Sequence, residues 1–199
     1  MNADAGPLIV ATRNEHKLAE LAEILTGFEL QLLPESVALP HEDGETFADN
    51  SLLKARAAVA ATGRGAIADD SGITAVALGG RPGVRSARFA GEGADDEANL
   101  SKLLADLAGH QDRSAAYVCA IAYVSADGAE LVEEGRCAGV LIETPRGEGG
   151  FGYDPAFVPD DTGAADGRTM AELTAAEKHA ISHRGRAARA LAERLGERR

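Results

Sequence analysis

The residues best equipped for chemistry in the first third of this chain are carboxylates. Asp69 and Asp70 stand side by side before Ser71 and Gly72, and Glu42 lies upstream in an acidic segment. Adjacent residues of a strand point to opposite sides, so one aspartate can face a site while the other orients a loop or a metal shell. Hard oxygen donors suit magnesium, which keeps several waters and binds through one or two carboxylates plus substrate phosphates. A carboxylate beside such an ion can take a proton from an attacking water. A polar turn with a solvated aspartate pair has the same sequence.

Cations and anion-binding groups lie on either side of that pair. Thr12-Arg13-Asn14-Glu15-His16-Lys17 falls where a short apolar run gives way to helical spacing. Amides at a helix start have no intrahelical partner and the dipole favours anions there, so Thr12, Asn14 and Lys17 can surround a phosphate. Ordinary capping by Thr12 or Asn14 accounts for the same residues. The glycine-rich loop that cradles phosphates in Walker-type proteins is missing. Asn50 and Lys54 are four apart and share a helix face with Phe47, so Lys54 is either a phosphate ligand or a snorkelling surface lysine. Later, Gly149-Gly150-Phe151-Gly152-Tyr153-Asp154-Pro155 joins glycines to aromatic rings, which suits stacking of a base as well as a plain strand entry. Lys178, His183 and Arg184 offer donors within a few helical turns, a pattern also found on solvated helices.

Apolar periodicity supplies the elements that must position these groups. Leu8–Ala11 reads as a buried strand, and Leu18, Leu21, Ala22 and Leu25 as an amphipathic helix stopped at Gly27. Residues 34–45 read as a loop or irregular strand. A second helix is expected from Thr46 to about Ala61, closed by Gly63. Gly65–Asp69 reads as a strand leading into a turn at Asp70-Ser71-Gly72, and 79–83 as further turn chemistry. Leu100, Leu103, Leu104 and Leu107 mark a third helix. Ala116–Val124, with Tyr117, Cys119, Ile121 and Tyr123 on one face, turns at 125–128 into an antiparallel partner over 129–143. After Phe151–Val158, a capping box at Thr174 and Glu177 opens a helix, and a last helix turns Ala188, Leu191 and Leu195 inward. Helices alternating with strands, plus one long hairpin, predict an α/β fold with a mixed sheet.

Composition narrows the class. A chain of 199 residues, 45% hydrophobic, is long enough to bury a core and fits one domain, 1–199, of two lobes. Its net charge of −12 argues against a general nucleic-acid binder while leaving room for a nucleotide held by local cations and a metal. Cys119 and Cys137 show neither metal-ligand spacing nor a disulfide framework, which favours a reducing compartment, the cytoplasm. Residues 1–6 lack the plan of a secretory signal, and no apolar run approaches a membrane span.

The order of the motifs carries more than any one of them. T-x-N-x-x-K at 12–17, E-x-G-x-T-F-x-x-N-x-x-x-K at 42–54, A-D-D-S-G at 68–72 and L-G-G-R-P-G-V-x-S-A-R at 78–88 follow in sequence. G-G-F-G-Y-D-P at 149–155, T-M-A-E-L at 169–173 and E-K-x-x-I-S-H-R-G at 177–185 complete the series. Over essentially its whole length the chain resembles the inosine triphosphate pyrophosphatase family, the XTP/dITP diphosphatases. Arg13 and His16 stand where many relatives carry smaller residues, and Arg85 where an aromatic is expected.

The resemblance implies a mixed twisted sheet with flanking helices, two lobes around a central substrate cleft, and a homodimer. It implies magnesium-dependent release of pyrophosphate from ITP, dITP and XTP. By matching motifs, Asp70 would be the general base and a metal neighbour, with Glu42 and Asp69 helping to hold magnesium. Thr12, Arg13, Asn14, Glu15, His16, Lys17 and Lys54 would take the triphosphate, and Ser71 would touch substrate. Phe151, Gly152, Tyr153, Asp154, Lys178, His183 and Arg184 would form the purine pocket. A pyrophosphatase for pyrimidine or modified nucleotides and a sensor that binds without cleaving are the alternatives. Binding alone does not need the carboxylate pair, which disfavours the sensor.

Overall fold

Period-two alternation builds the sheet. The computed structural model describes residues 6–162 and 166–197, the side chain of His16 excepted. In β1 (Leu8–Val10), Leu8 and Val10 enter one hydrophobic cluster while Ile9, with Ala11 just beyond the strand, enters another on the opposite face. A strand buried on both faces reads as a continuous apolar run, as this one does. β2 (Leu30–Leu32) and β3 (Ala66–Ala75) flank β1 in parallel. β4 (Ser114–Val124), β5 (Glu130–Leu141) and β6 (Phe157–Pro159) complete a mixed six-stranded sheet in the order β2-β1-β3-β4-β5-β6. β5 and β6 pair antiparallel.

The helices are α1 (Glu15–Ile24), α2 (Phe47–Thr62), α3 (Asp96–Asp106), α4 (Ala175–Ile181) and α5 (His183–Gly196). Local capping chemistry sets their starts. Thr46 and Asp49 form a capping box at α2, Asp95 caps α3, and the expected box at Thr174 and Glu177 opens α4. No helix among the described residues is long and apolar enough to cross a membrane.

The chain divides into two compact units. The first comprises residues 1–70, 119–135 and 183–199, and the second 71–118 and 136–182, so β3, β4 and β5 each change unit partway along. In the first unit, Leu21 of α1, Leu25 at its C-cap and Ala187, Ala188, Leu191 and Leu195 of α5 pack with Ile67, Cys119, Ile121 and Tyr123. Ala55 and Ala58 of α2 meet small residues, Ala66, Ala68 and Ala122, in a separate cluster. The start of α5 lies so close to β5 that a Cβ at Gly135 would stand 2.0 Å from the His183 carbonyl oxygen. In the second unit, Leu100 and Leu103 of α3, with Leu107 at its C-cap, pack on Ile73, Tyr117, Cys137, Leu141 and Phe157.

Two expectations need correction. Asp70-Ser71-Gly72 is no turn: β3 runs through it without a break. Gly72 serves close approach instead, since a Cβ there would lie 2.3 Å from Ser86 Oγ and 2.6 Å from the Gly83 carbonyl oxygen. The Ser86 hydroxyl donates to that carbonyl and accepts the Ile73 N–H at 2.9 Å. Phe151–Val158, for its part, is a turn and a short 3₁₀ stretch before β6 begins at Phe157. Periodicity also missed β2, which is too short to display any.

Candidate active site

In the first unit, β3 brings Asp69 and Asp70 forward on opposite sides of the strand, and the two carboxyls meet different partners. Asp69 is fully enclosed. Its Oδ2 accepts from Lys17 Nζ at 3.0 Å and Arg184 Nε at 3.2 Å, and the Cys119 thiol stands 4.0 Å away. Burial alone would raise this carboxyl, but Lys17, Arg184 and Lys54 outweigh it and hold the group well below the usual aspartate range. Glu20, one turn beyond Lys17 on α1, pairs with the same Arg184 guanidinium. Burial, reinforced by the Asp69 charge, pushes the Cys119 thiol up to about 12, so it stays protonated.

Asp70 shows the opposite shift. Burial raises its carboxyl and the Glu42 charge adds to this, while Lys54 and the Asn50 amide only partly offset them. Asn50 Nδ2 donates to Asp70 Oδ2 at 2.9 Å, and Asn50 Oδ1 accepts the Gly44 N–H at 2.8 Å. One side chain of α2 thereby holds both the carboxylate and the acidic loop. Lys54, one helical turn further on, donates to Glu42 and to the Asp69 carbonyl oxygen, the latter at 2.7 Å. Burial works against its charge, but Asp69, Glu42 and Asp70 prevail and raise its pKa. A carboxyl more basic than usual next to a fixed cation suits proton abstraction near an anionic substrate.

The stretch before α1 combines bracing with capping. Thr12 Oγ1 accepts the Asn14 N–H and Asn14 Oδ1 accepts the Lys17 N–H, both at 3.1 Å, so ordinary capping is present. The Arg13 guanidinium donates to the carbonyls of Leu33, Pro34 and Val37 and braces that loop. Glu15 is exposed in the first turn, where the helix dipole favours its charge. The side chain of His16 lies outside the described residues.

The second unit gathers Phe151, Gly152, Tyr153, Asp154 and Lys178. Asp154 is buried and accepts from Tyr117 Oη at 3.0 Å, Lys178 Nζ at 2.9 Å and the Phe151 N–H at 3.0 Å. Lys178 Nζ sits 4.8 Å from the centre of the Phe151 ring. The Gly152 N–H donates to Asp96 at 2.8 Å, and Tyr153 Oη to the Ser86 carbonyl at 2.7 Å. Ser71 is half-buried in β3. The expected grouping of Lys178, His183 and Arg184 is not one cluster in side-chain partners. Lys178 belongs with Asp154 and Phe151, whereas Arg184 is engaged by Asp69 and Glu20, and His183 is buried at the start of α5. A guanidinium 2% exposed needs carboxylates beside it, and the first unit supplies two. Spacing along the helix had no means of showing either one. Asn50, Glu20 and Tyr117 are the residues that motif reading did not assign to a site. Only Asn50 had a signal, its shared helix face with Lys54.

The chain is 49% identical over 195 residues to a dITP/XTP pyrophosphatase of Geobacter sulfurreducens, covering 95% of this chain and 96% of the relative. It is 50% identical over 198 residues to a dITP/XTP pyrophosphatase of Mycolicibacterium paratuberculosis, covering 95% of each. Among solved structures, a HAM1 protein from Coxiella burnetii superposes with a TM-score of 0.86 at 42% identity, over 96% of this chain and 98% of that one. The Ham1 protein of Staphylococcus aureus gives 0.88 at 36%, over 98% of this chain and 100% of its own. The family model for Ham1 proteins matches residues 8–194, and with these relatives it shows that the chain belongs to the Ham1 family.

Proposed function

We propose that this protein hydrolyses ITP, dITP and XTP to the nucleoside monophosphate and pyrophosphate, removing deaminated purines from the nucleotide pool. The observation that carries the reading is Asp70: a buried carboxylate made more basic by its surroundings and held by Asn50 beside the Lys54–Glu42 pair. Likeness to dITP/XTP pyrophosphatases supplies the substrate class.

The donor set fits magnesium. Among the described residues no three His, Cys, Asp or Glu side chains form a ready-made metal cage. An ion that takes one or two carboxylates and completes its shell with phosphate and water needs none. Glu42 and Asp70 would hold it, and Asp69, whose Oδ1 is buried without a hydrogen-bond partner on the opposite side of β3, would steady that shell through Lys54, which donates to its carbonyl oxygen. Bound there, magnesium supplies charge neutralisation on the phosphates. Asp70 takes the proton of the water that attacks the α-phosphorus, the bond from that phosphorus to the bridging oxygen breaks, and pyrophosphate leaves. Lys54, Lys17 and the amides opening α1 neutralise the triphosphate. In the second unit Phe151 stacks the base, and Lys178, a donor only, meets a 6-oxo acceptor where adenine would present a 6-amino donor. His183, Arg184 and Ser71 complete the substrate contacts in this reading. A homodimer in the cytoplasm belongs to it as well, the latter supported by two buried free thiols.

The experiment is incubation with ITP and magnesium, with the products identified. Inosine monophosphate and pyrophosphate are expected, with loss of turnover in EDTA and recovery on adding magnesium. Inosine diphosphate with orthophosphate would overturn the reaction class, and binding without turnover would favour the sensor.

A further inference from the structure

One carboxylate organises three parts of the second unit. Asp154 fixes the backbone at Phe151, holds the Lys178 ammonium, and is itself held by Tyr117. The loop closes tightly on it: Gly150 has a φ of +71°, and a Cβ there would come within 2.1 Å of Asp154 Oδ2. Loop and carboxylate are therefore in close contact. Of the three donors, the Phe151 amide and Lys178 sit on the elements being positioned, so neither can act as their fixed reference. Tyr117 can. It stands in β4, and its ring packs edge-on against Phe157 of β6, with centroids 4.9 Å apart and planes at 70°, inside the main cluster of the unit. Burial, reinforced by the Asp154 charge, raises the phenol well above its usual range, so it stays a donor at any pH where the protein works.

We infer that Tyr117 is a positioning residue for base recognition, acting through Asp154 to set the direction of Lys178 and the seat of the Phe151 ring. The inference rests on the function proposed above and extends it, since it assigns part of the discrimination between 6-oxo and 6-amino purines to a hydroxyl that touches no nucleotide. Lys178 has three N–H donors. One of them is on Asp154 and the ammonium lies over the Phe151 ring, so the direction of the ammonium depends on where Asp154 points. Loss of the Tyr117 donor lets the carboxylate turn and the ammonium follow.

Tyr117→Phe removes one oxygen and keeps the packed ring. Steady-state kinetics with ITP and ATP, beside thermal unfolding and ITP affinity measured in EDTA, test the idea. A lost hydrogen bond to a charged group is expected to raise KM for ITP about tenfold and to narrow the ITP/ATP ratio in kcat/KM by a similar factor. kcat for ITP should stay within about twofold, because the groups around Asp70 are untouched. A purely structural tyrosine would lower Tm and active fraction while leaving KM and the ratio alone. That result, or KM and ratio both unchanged in a folded variant, would overturn the inference. If Tyr117→Phe does not fold, Tyr117→Met removes the same donor: a narrowed ratio in the folded variant supports the inference and an unchanged one overturns it. Wild-type protein that releases no pyrophosphate from ITP would remove the proposed function itself, whereas an active wild type with an unaltered Tyr117→Phe ratio removes only this step.

Discussion

Replacing Asp69 with Asn keeps the side-chain shape and deletes the one negative charge shared by Lys17 and Arg184. The two partners are not equally placed to tolerate this. The Lys17 side chain is 15% exposed and can reach water, while Arg184 is 2% exposed and keeps the Glu20 carboxylate. Stranding one partner of a buried pair costs about 3–5 kcal/mol, and the remaining Glu20 places this case near the lower end. For a chain of this length about 3 kcal/mol corresponds to a Tm lower by roughly 6–12 °C. Thermal unfolding followed by circular dichroism in EDTA reads that loss apart from any effect on bound metal. The pH dependence has a definite sign. The folded carboxyl lies below its unfolded value, so Asp69 contributes its stability in full above the unfolded pKa of about 3.9 and loses it as pH falls through the folded one. The gap between wild type and Asp69→Asn should be constant from neutral pH down to about 4 and close only below that. Adding Arg184→Met removes the stranded cation, so the double variant should lose less than the sum of the singles by about 1–3 kcal/mol. A Tm within about 2 °C of wild type, or strictly additive losses, would refute the shared-anion account.

Asp70→Asn should behave in the reverse way. kcat is expected to fall about a hundredfold or more with little change in nucleotide affinity. Because burial raises the Asp70 carboxyl, its charge is a cost to folding at neutral pH, so this variant should unfold at or above the wild-type temperature. A marked drop in Tm would contradict that. Gly135→Ala places a methyl against backbone atoms of α5, 2.0 Å from the His183 oxygen and 2.6 Å from the Ala187 nitrogen. Overpacking of this kind costs about 1–3 kcal/mol, and an unchanged Tm would show that α5 can shift away freely.

Much of the molecule follows from local pattern. The apolar spacing that marks α1 and α3, the capping boxes at Thr46 and Thr174, and the long alternation of β4 and β5 depend on neighbours a few residues apart, where sequence distance and spatial distance agree. The candidate groups Glu42, Lys54, Asp69, Asp70, Phe151 and Lys178 were legible for a related reason, since their residue types and motif order mark chemistry whatever the fold. Partnership was not legible. Asp69 and Arg184 are 115 residues apart in the chain, and Tyr117 and Asp154 are 37 apart. Nothing within a helical turn of Arg184 announces that its charge is balanced by a strand near the other end of the chain. Nor did Asp-Ser-Gly reveal that its glycine admits Ser86 instead of turning the chain. Sequence spacing determines which side chains share one face of one element. Which carboxylate meets which cation depends on the order in which β1, β3, β4 and β5 lie side by side, because a buried charge must find its partner across the packing between elements.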